Sequence, residues 1–167
     1  FSGIAGDAFS RIRSFADDLI GTAIPAAAQK FSAIYDNLRS DNPEDWSNAV
    51  HSCRRVLQDL ADQLFPATDI PKVRTGNGKR IEIKLGPDNY INRLVCYAEE
   101  HASSERTEEI VGSQLRYLGD RLDALFQAAQ KGSHSVISTR EEADRYVVYT
   151  YMLVADFLKI KAAEATA

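Results

Sequence analysis

Cysteine is nearly absent from this 167-residue chain, with only Cys53 and Cys96 present. Two cysteines cannot build a disulfide framework. Both sit among apolar residues at helical spacing, which reads as small buried thiols in a reducing compartment. Histidine is scarce too: His51, His101 and His134 are the only three. No pair has metal-ligand spacing, and no CxxC, HExxH or carboxylate–His cluster occurs, so no metal or cofactor is expected. Long apolar runs are also missing. The longest, Val147 to Leu158, spans 12 residues and contains Asp156, too short and too polar to cross a bilayer. Asp7, Arg11, Arg13, Asp17 and Asp18 interrupt every candidate signal-peptide core, so a cytoplasmic protein without membrane contact is expected. The chain starts at Phe1 and not Met, which leads us to expect a fragment of a longer protein with a neighbouring effector domain.

An excess of basic charge is lacking as well. Lys plus Arg number 20 against 24 Asp plus Glu, a net charge of −4, which argues against a general basic coat for nucleic acid. The distribution is uneven, however. Residues 71–84 hold Lys72, Arg74, Lys79, Arg80 and Lys84 against Glu82 alone, a local +4 that leaves −8 on the rest.

What remains is a globular composition, 44% hydrophobic and 26% charged, long enough for one domain with its own core. Over 5–39 the apolar positions Ile12, Phe15, Leu19, Ile20, Phe31, Ile34, Tyr35 and Leu38 follow an amphipathic helical period. Pro25 either kinks this helix or opens a second one at its first position. Asp41-Asn42-Pro43-Glu44 is a helix start signal. It is followed by a stripe of Trp46, Ala49, Val50, Cys53, Val56, Leu57, Leu60 and Leu64 that ends before Pro66.

Pro66, Pro71 and Pro87 bound an irregular stretch with Gly76-Asn77-Gly78 near its middle. Val73, Ile81, Ile83 and Leu85 alternate with polar residues around it, which predicts a short hairpin with a glycine-rich turn. Thr75-Gly76-Asn77-Gly78-Lys79 lacks the spacing of a phosphate-binding loop and does not lead into a helix, so it reads as that turn. Three further helices are expected. Asp88 to His101 carries Ile91, Leu94, Val95 and Ala98. Glu105 to Gln130 carries Val111, Leu115, Leu118, Leu122, Leu125, Phe126 and Ala129 and stops at Gly132. The last starts at Ser138 with Glu141 as its capping-box partner and buries Ala143, Val147, Thr150, Tyr151, Val154 and Leu158. The expected fold is an all-α bundle of five to six helices with a hairpin-like insert at about 70–86. It forms one domain over 1–167, with N-terminal helices over 5–39 and a bundle core over 42–65 and 88–163.

Chemistry concentrates in the polar loop between the last two helices. His134 there lies between the carbonyl end of one helix and the amide end of the next. Lys131 and Arg140 flank it as candidate phosphate ligands, and Ser133, Ser135 and Ser138 add hydroxyls. An imidazole that titrates near neutrality beside cations is the minimum for metal-independent RNA cleavage, as general base on a 2′-hydroxyl or general acid on the leaving oxygen. The alternative is that His134 caps the carbonyls ending helix 105–130, or packs over the turn.

A long helix, a Gly-x-His loop and Ser-x-x-Glu-Ala opening a final helix resemble the C-terminal motif of HEPN-superfamily domains. The closest likeness is to those of abortive-infection and other prokaryotic phage-defence proteins. The resemblance covers chiefly 125–158, with weaker support from Ser52-Cys53-Arg54-Arg55. It implies a helical bundle, a homodimer with two His134 loops at a shared cleft, and RNA as partner. Where active, such a domain is a metal-independent endoribonuclease, with His134 as the matching histidine. The family's arginine, with four to six residues between it and its histidine, has no counterpart at Gln127, Ala128 and Ala129, and the nearest cation is Lys131. Arg121 lies more than three turns upstream.

Arg54 and Arg55, with His51 one turn before them, are read either as a solvated face paired to Asp59 or Asp62, or as arginines entering the His134 groove. Lys72, Arg74, Lys79 and Arg80 on the hairpin are candidate phosphate contacts or, equally, a charged edge that discourages strand pairing. The functional expectation is RNA binding, and cleavage through His134, Lys131 and Arg140. The alternative is a non-catalytic dimerisation, docking or sensor module.

Overall fold

A computed structural model describes residues 2–132 and 137–166. Among them are six helices and one two-stranded sheet: α1 (Ser2–Ala23), α2 (Pro25–Arg39), α3 (Pro43–Leu64), β1 (Thr68–Gly76), β2 (Lys79–Leu85), α4 (Tyr90–His101), α5 (Glu105–Gln130) and α6 (Arg140–Ala165). The architecture is an all-α bundle with a short hairpin insert.

Pro25 resolves the N-terminal alternative. It sits at the first position of α2, where its missing N–H costs nothing, and α1 ends just before it. Of the stripe expected over 5–39, Ile12, Phe15 and Tyr35 are exposed. No residue of α1 is buried before Ala16, because the first half of that helix extends past its neighbours. Asn42 caps α3 by accepting a hydrogen bond from the Glu44 N–H at 3.0 Å. The α3 stripe is buried as expected from Ala49 to Leu60, with Trp46 and Leu64 packed at its edges.

The hairpin turns through Asn77 (φ 50°) and Gly78 (φ 72°). This two-residue left-handed turn matches the twist of its strands and suits Asn-Gly. Gly76 pairs with Lys79 and Lys72 with Ile83, and the register slips between Thr68 and Lys72, where Pro71 has no N–H to donate. The alternating residues do not form one buried face. Ile81 at the tip is exposed, Ile83 is half-buried and Leu85 at the base is buried, so the hairpin leaves the core as it lengthens.

Two helix starts differ from the sequence expectation. The α4 helix starts at Tyr90 and not Asp88, because Gly86 to Asn89 form a turn closed by the Asn89 N–H on the Gly86 carbonyl at 3.0 Å. For α6 the cap is Thr139 and not Ser138: its Oγ1 accepts from the Glu142 N–H at 3.2 Å. Both Ser138-x-x-Glu141 and Thr139-x-x-Glu142 fit the capping pattern, and burial of Ile137 sets the phase.

α4 is buried nearly all round, with Arg93 through Ala98 enclosed by its neighbours. Gly119 of α5 permits its close approach. A Cβ built there would lie 2.6 Å from the Ile91 Cδ1. Within α4 the guanidinium of Arg93 is only 1% exposed. Its Nη1 donates to the Asp62 Oδ1 at 2.9 Å and the Phe65 carbonyl at 3.1 Å, and its Nη2 donates to the Pro87 carbonyl at 3.0 Å. One side chain thus joins the end of α3, the exit from the hairpin and α4.

Replacing Arg93 with Ala leaves the Phe65 and Pro87 carbonyls without their donor, while Asp62, 65% exposed, turns to water; the loss should be about 1–3 kcal/mol. Urea unfolding measures this. An R93A midpoint equal to wild type contradicts the role assigned to this residue.

Candidate functional site

The loop that joins α5 and α6 starts on a left-handed glycine. Lys131 terminates α5, its N–H bonded to the Gln127 and Ala128 carbonyls, and Gly132 follows at φ 80°. Lys131 is exposed. His134, Ser133 and Ser135 lie outside the described residues. At the start of α6, Arg140 reaches the turn between α2 and α3. Its Nη2 donates to the Ser40 carbonyl at 2.9 Å and pairs with the Asp41 Oδ1 at 2.6 Å, above the Trp46 ring. Arg140 therefore clips the start of α6 to the turn between α2 and α3.

Neither Asp59 nor Asp62 pairs with the α3 arginines. Asp59 is taken by Lys30 of α2 and Asp62 by Arg93. Arg54 crosses to α5, where its Nε donates to the Asp123 Oδ1 at 2.7 Å. Its guanidinium lies 4.2 Å from the Phe126 ring centroid and 5.6 Å from that of Tyr90. At 15% side-chain exposure it is a packed arginine, whereas Arg55 faces outward. The sequence reading missed the partner because Asp123 is 69 residues away, beyond any helical spacing rule. Tyr90 also donates to Asp123, at 3.1 Å, so one carboxylate ties α3, α4 and α5 together.

His51 stands one turn from Arg54, edge-on to Phe126 with ring centroids 6.2 Å apart. Its Nδ1 is buried and has no hydrogen-bond partner among the described residues. Burial, followed by the charges of Arg55 and Arg54, holds the imidazole below its ordinary pKa of 6.5.

The hairpin cations are divided. Lys72 pairs with Glu99 and Glu100, and Arg74 with Glu99, all on α4. Arg80 lies 3.5 Å from Glu82, and Lys79 and Lys84 are exposed. Half of the local +4 is thereby neutralised within the fold. Cys53 and Cys96 are both unpaired and buried, and burial pushes the Cys53 thiol up to about 12, where it is chemically quiet. Among the described residues no cluster of His, Cys, Asp and Glu could hold a metal ion. No helix among them is long and apolar enough to cross a membrane.

One open concavity is not anticipated by the sequence. A groove of about 620 Å³ runs between α5 and α6, with Leu118 and Leu153 in its floor. Tyr117, Tyr146, Tyr149 and Met152 supply apolar and aromatic surface, Arg121 and Arg145 the cations, and Gln114, Glu142 and Asp156 the other polar groups. Tyr117 is 71% exposed, an unusual amount of ring to leave in water. The nearby Tyr146 hydroxyl raises the Arg121 pKa, so the two walls approach each other here. Burial raises the Asp156 carboxyl, which makes no hydrogen bond or ion pair among the described residues. The signal available in the sequence was that α6 carries apolar residues off its buried stripe, at Tyr146, Tyr149 and Met152.

The depressed His51 pKa has a measurable consequence. The unfolded chain binds this proton more readily than the folded one, so its protonation favours unfolding. Stability should fall as the pH drops through and below 6.5, and His51→Gln should flatten that decline in urea titrations. A variant with the same pH dependence as wild type contradicts the assignment.

No family model matches the chain, and no curated protein or solved structure matches it either.

Proposed function

We propose that this chain is an RNA-binding helical domain of the HEPN kind, and that single-stranded RNA lies in the groove between α5 and α6. The groove is the observation that carries this reading. Tyr117, Tyr146 and Tyr149 offer rings on which bases can stack, an interaction of about 1–3 kcal/mol per base. Arg121 on the same walls supplies a planar donor for phosphate, and Arg145 adds a second once RNA displaces its Glu141 partner, 2.6 Å away. These two helices are also the ones joined in sequence by the segment that carries His134, the histidine that the resemblance singles out. The hairpin plays a lesser part, since Glu99 and Glu100 already neutralise Lys72 and Arg74. A cytoplasmic location follows from RNA as the partner, and a setting in prokaryotic phage defence rests on the resemblance over 125–158.

The reading is binding without turnover. A cleavage mechanism needs a cation on the reacting phosphate, and two arginines that the sequence offers for that role are already paired, Arg54 with Asp123 and Arg140 with Asp41. Labelled single-stranded RNA should bind with a weak salt dependence, a log–log slope of about −1.4 for two neutralised phosphates. In EDTA it should stay intact. Cleavage that His134→Ala abolishes would replace binding with nuclease action, and the absence of binding would remove RNA altogether.

One observation favours a second reading, a dimerisation or docking module. Ile4, Phe9, Ile12 and Phe15 are all exposed on the first half of α1, an apolar surface suited to a second copy of this chain. On this reading the protein self-associates in sedimentation runs and Phe9→Asp returns it to a monomer. A wild-type chain that stays monomeric at high concentration rules it out.

A further inference from the structure

We propose that the α5–α6 groove reads guanine, with Asp156 and Gln114 on the edge of the base, Tyr117 and Tyr149 on its faces, and Arg121 and Arg145 on phosphates toward the His134 loop. The inference rests on the RNA-binding reading and narrows its ligand to guanosine-bearing single strands.

The polar groups of the groove are sorted by position. On α5, Gln114, Tyr117 and Arg121 follow at helical spacing and share one stripe; on α6, Arg145, Tyr149, Met152 and Asp156 do the same. The short connection from Gln130 to Arg140 makes the two packed helices antiparallel, with Arg121 near Tyr146. Gln114 therefore faces the Asp156 end, and Arg121 the Arg145 end. At 1.5 Å per residue, Arg145 and Asp156 stand roughly 16 Å apart along α6, longer than one nucleotide. One end of the groove is cationic, the middle is aromatic, and the far end holds an amide and a carboxyl.

An acid is out of place in a site for a polyanion unless it faces donors. Asp156 is half-buried, burial outweighs the nearby Lys159 charge in raising its pKa, and no described residue donates to it, so its oxygens are open to donors from a ligand in the groove. Among the bases, guanine alone presents two adjacent donors on its Watson–Crick edge, N1–H and the N2 amino group, matched to the two oxygens of one carboxylate. Adenine and cytosine place an acceptor beside their amino group, which would confront the second oxygen. Uracil sets its single N–H between two carbonyls. The Gln114 amide complements the same base, since its NH₂ can donate to O6 or N7. The base faces then meet Tyr117 and Tyr149, and Leu118, Met152 and Leu153 keep water from beneath them. This order of groups also disfavours a second protein copy, whose buried face would have to satisfy Asp156 and both arginines within the same furrow.

The test uses short single-stranded RNAs of equal length that differ at one position, titrated against the full chain by fluorescence anisotropy. The guanine-bearing RNA should bind about tenfold tighter than its adenine counterpart, and inosine, which lacks the N2 amino group, should fall between them. Asp156→Asn should abolish this preference while the circular dichroism spectrum stays that of wild type. Tyr117→Ala, at an exposed position, should weaken the guanine RNA without touching the fold. Arg121→Gln should weaken all RNAs alike and flatten the salt dependence. Equal affinity for guanine and adenine, or a preference that survives D156N, overturns the guanine assignment and leaves the RNA reading standing. If no RNA binds, the RNA reading itself fails. Groove variants that change the oligomeric state but not RNA affinity would mark the groove as an interface between copies, and the proposal falls.

Discussion

A guanidinium removed from water needs acceptors, and Arg93 finds three of them through its two terminal nitrogens while its Nε stays buried without a partner among the described residues. Desolvating such a charge costs several kcal/mol, offset here by Asp62 and by the carbonyls of Phe65 and Pro87. Those three acceptors come from the end of α3 and from the segment leaving the hairpin, so their separation is fixed by one side chain. α4 is consequently held at one depth in the bundle. Its Tyr90 then meets Asp123, and Asp123 receives Arg54. The pose of α5 follows from that chain of contacts, and with it the shape of the groove that α5 forms with α6. Gly119 completes the constraint by letting Ile91 approach the α5 backbone.

The helices were legible because each is decided locally. Asn42-Pro43 starts α3, Gly132 ends α5, and the apolar period of each helix identifies the face that turns inward. Asn77-Gly78 specifies the hairpin turn for the same reason. Where two local patterns compete, phase is lost: Ser138 and Thr139 both begin a capping motif, and only packing of Ile137 chooses between them. Contacts between distant segments were not legible. Arg54 has acids at helical spacing and takes Asp123 from another helix instead. Arg93 occupies a helix that reads as amphipathic, yet it is enclosed on every side. Of the residues singled out around the loop, Lys131 is exposed and Arg140 is tied to Asp41. The groove depends on which side of α6 is left uncovered, and no sequence period contains that information.

Charge takes on a different meaning once it is placed in space. Half of the local +4 of residues 71–84 is answered by Glu99 and Glu100 on α4. The cations relevant to a ligand are fewer and sit beside aromatic rings, which suits recognition of a single strand by stacking more than electrostatic capture of a duplex. Net negative charge then acts as a filter. It discourages general adhesion to nucleic acid and leaves affinity to those few groups.

The central claim is that RNA occupies the groove between α5 and α6. Ultraviolet cross-linking of bound single-stranded RNA, followed by peptide mapping, tests it directly. The account predicts cross-links at Tyr117 and Tyr149, within the peptides that span 114–121 and 142–156. Cross-links confined to the hairpin at 68–85 would contradict it.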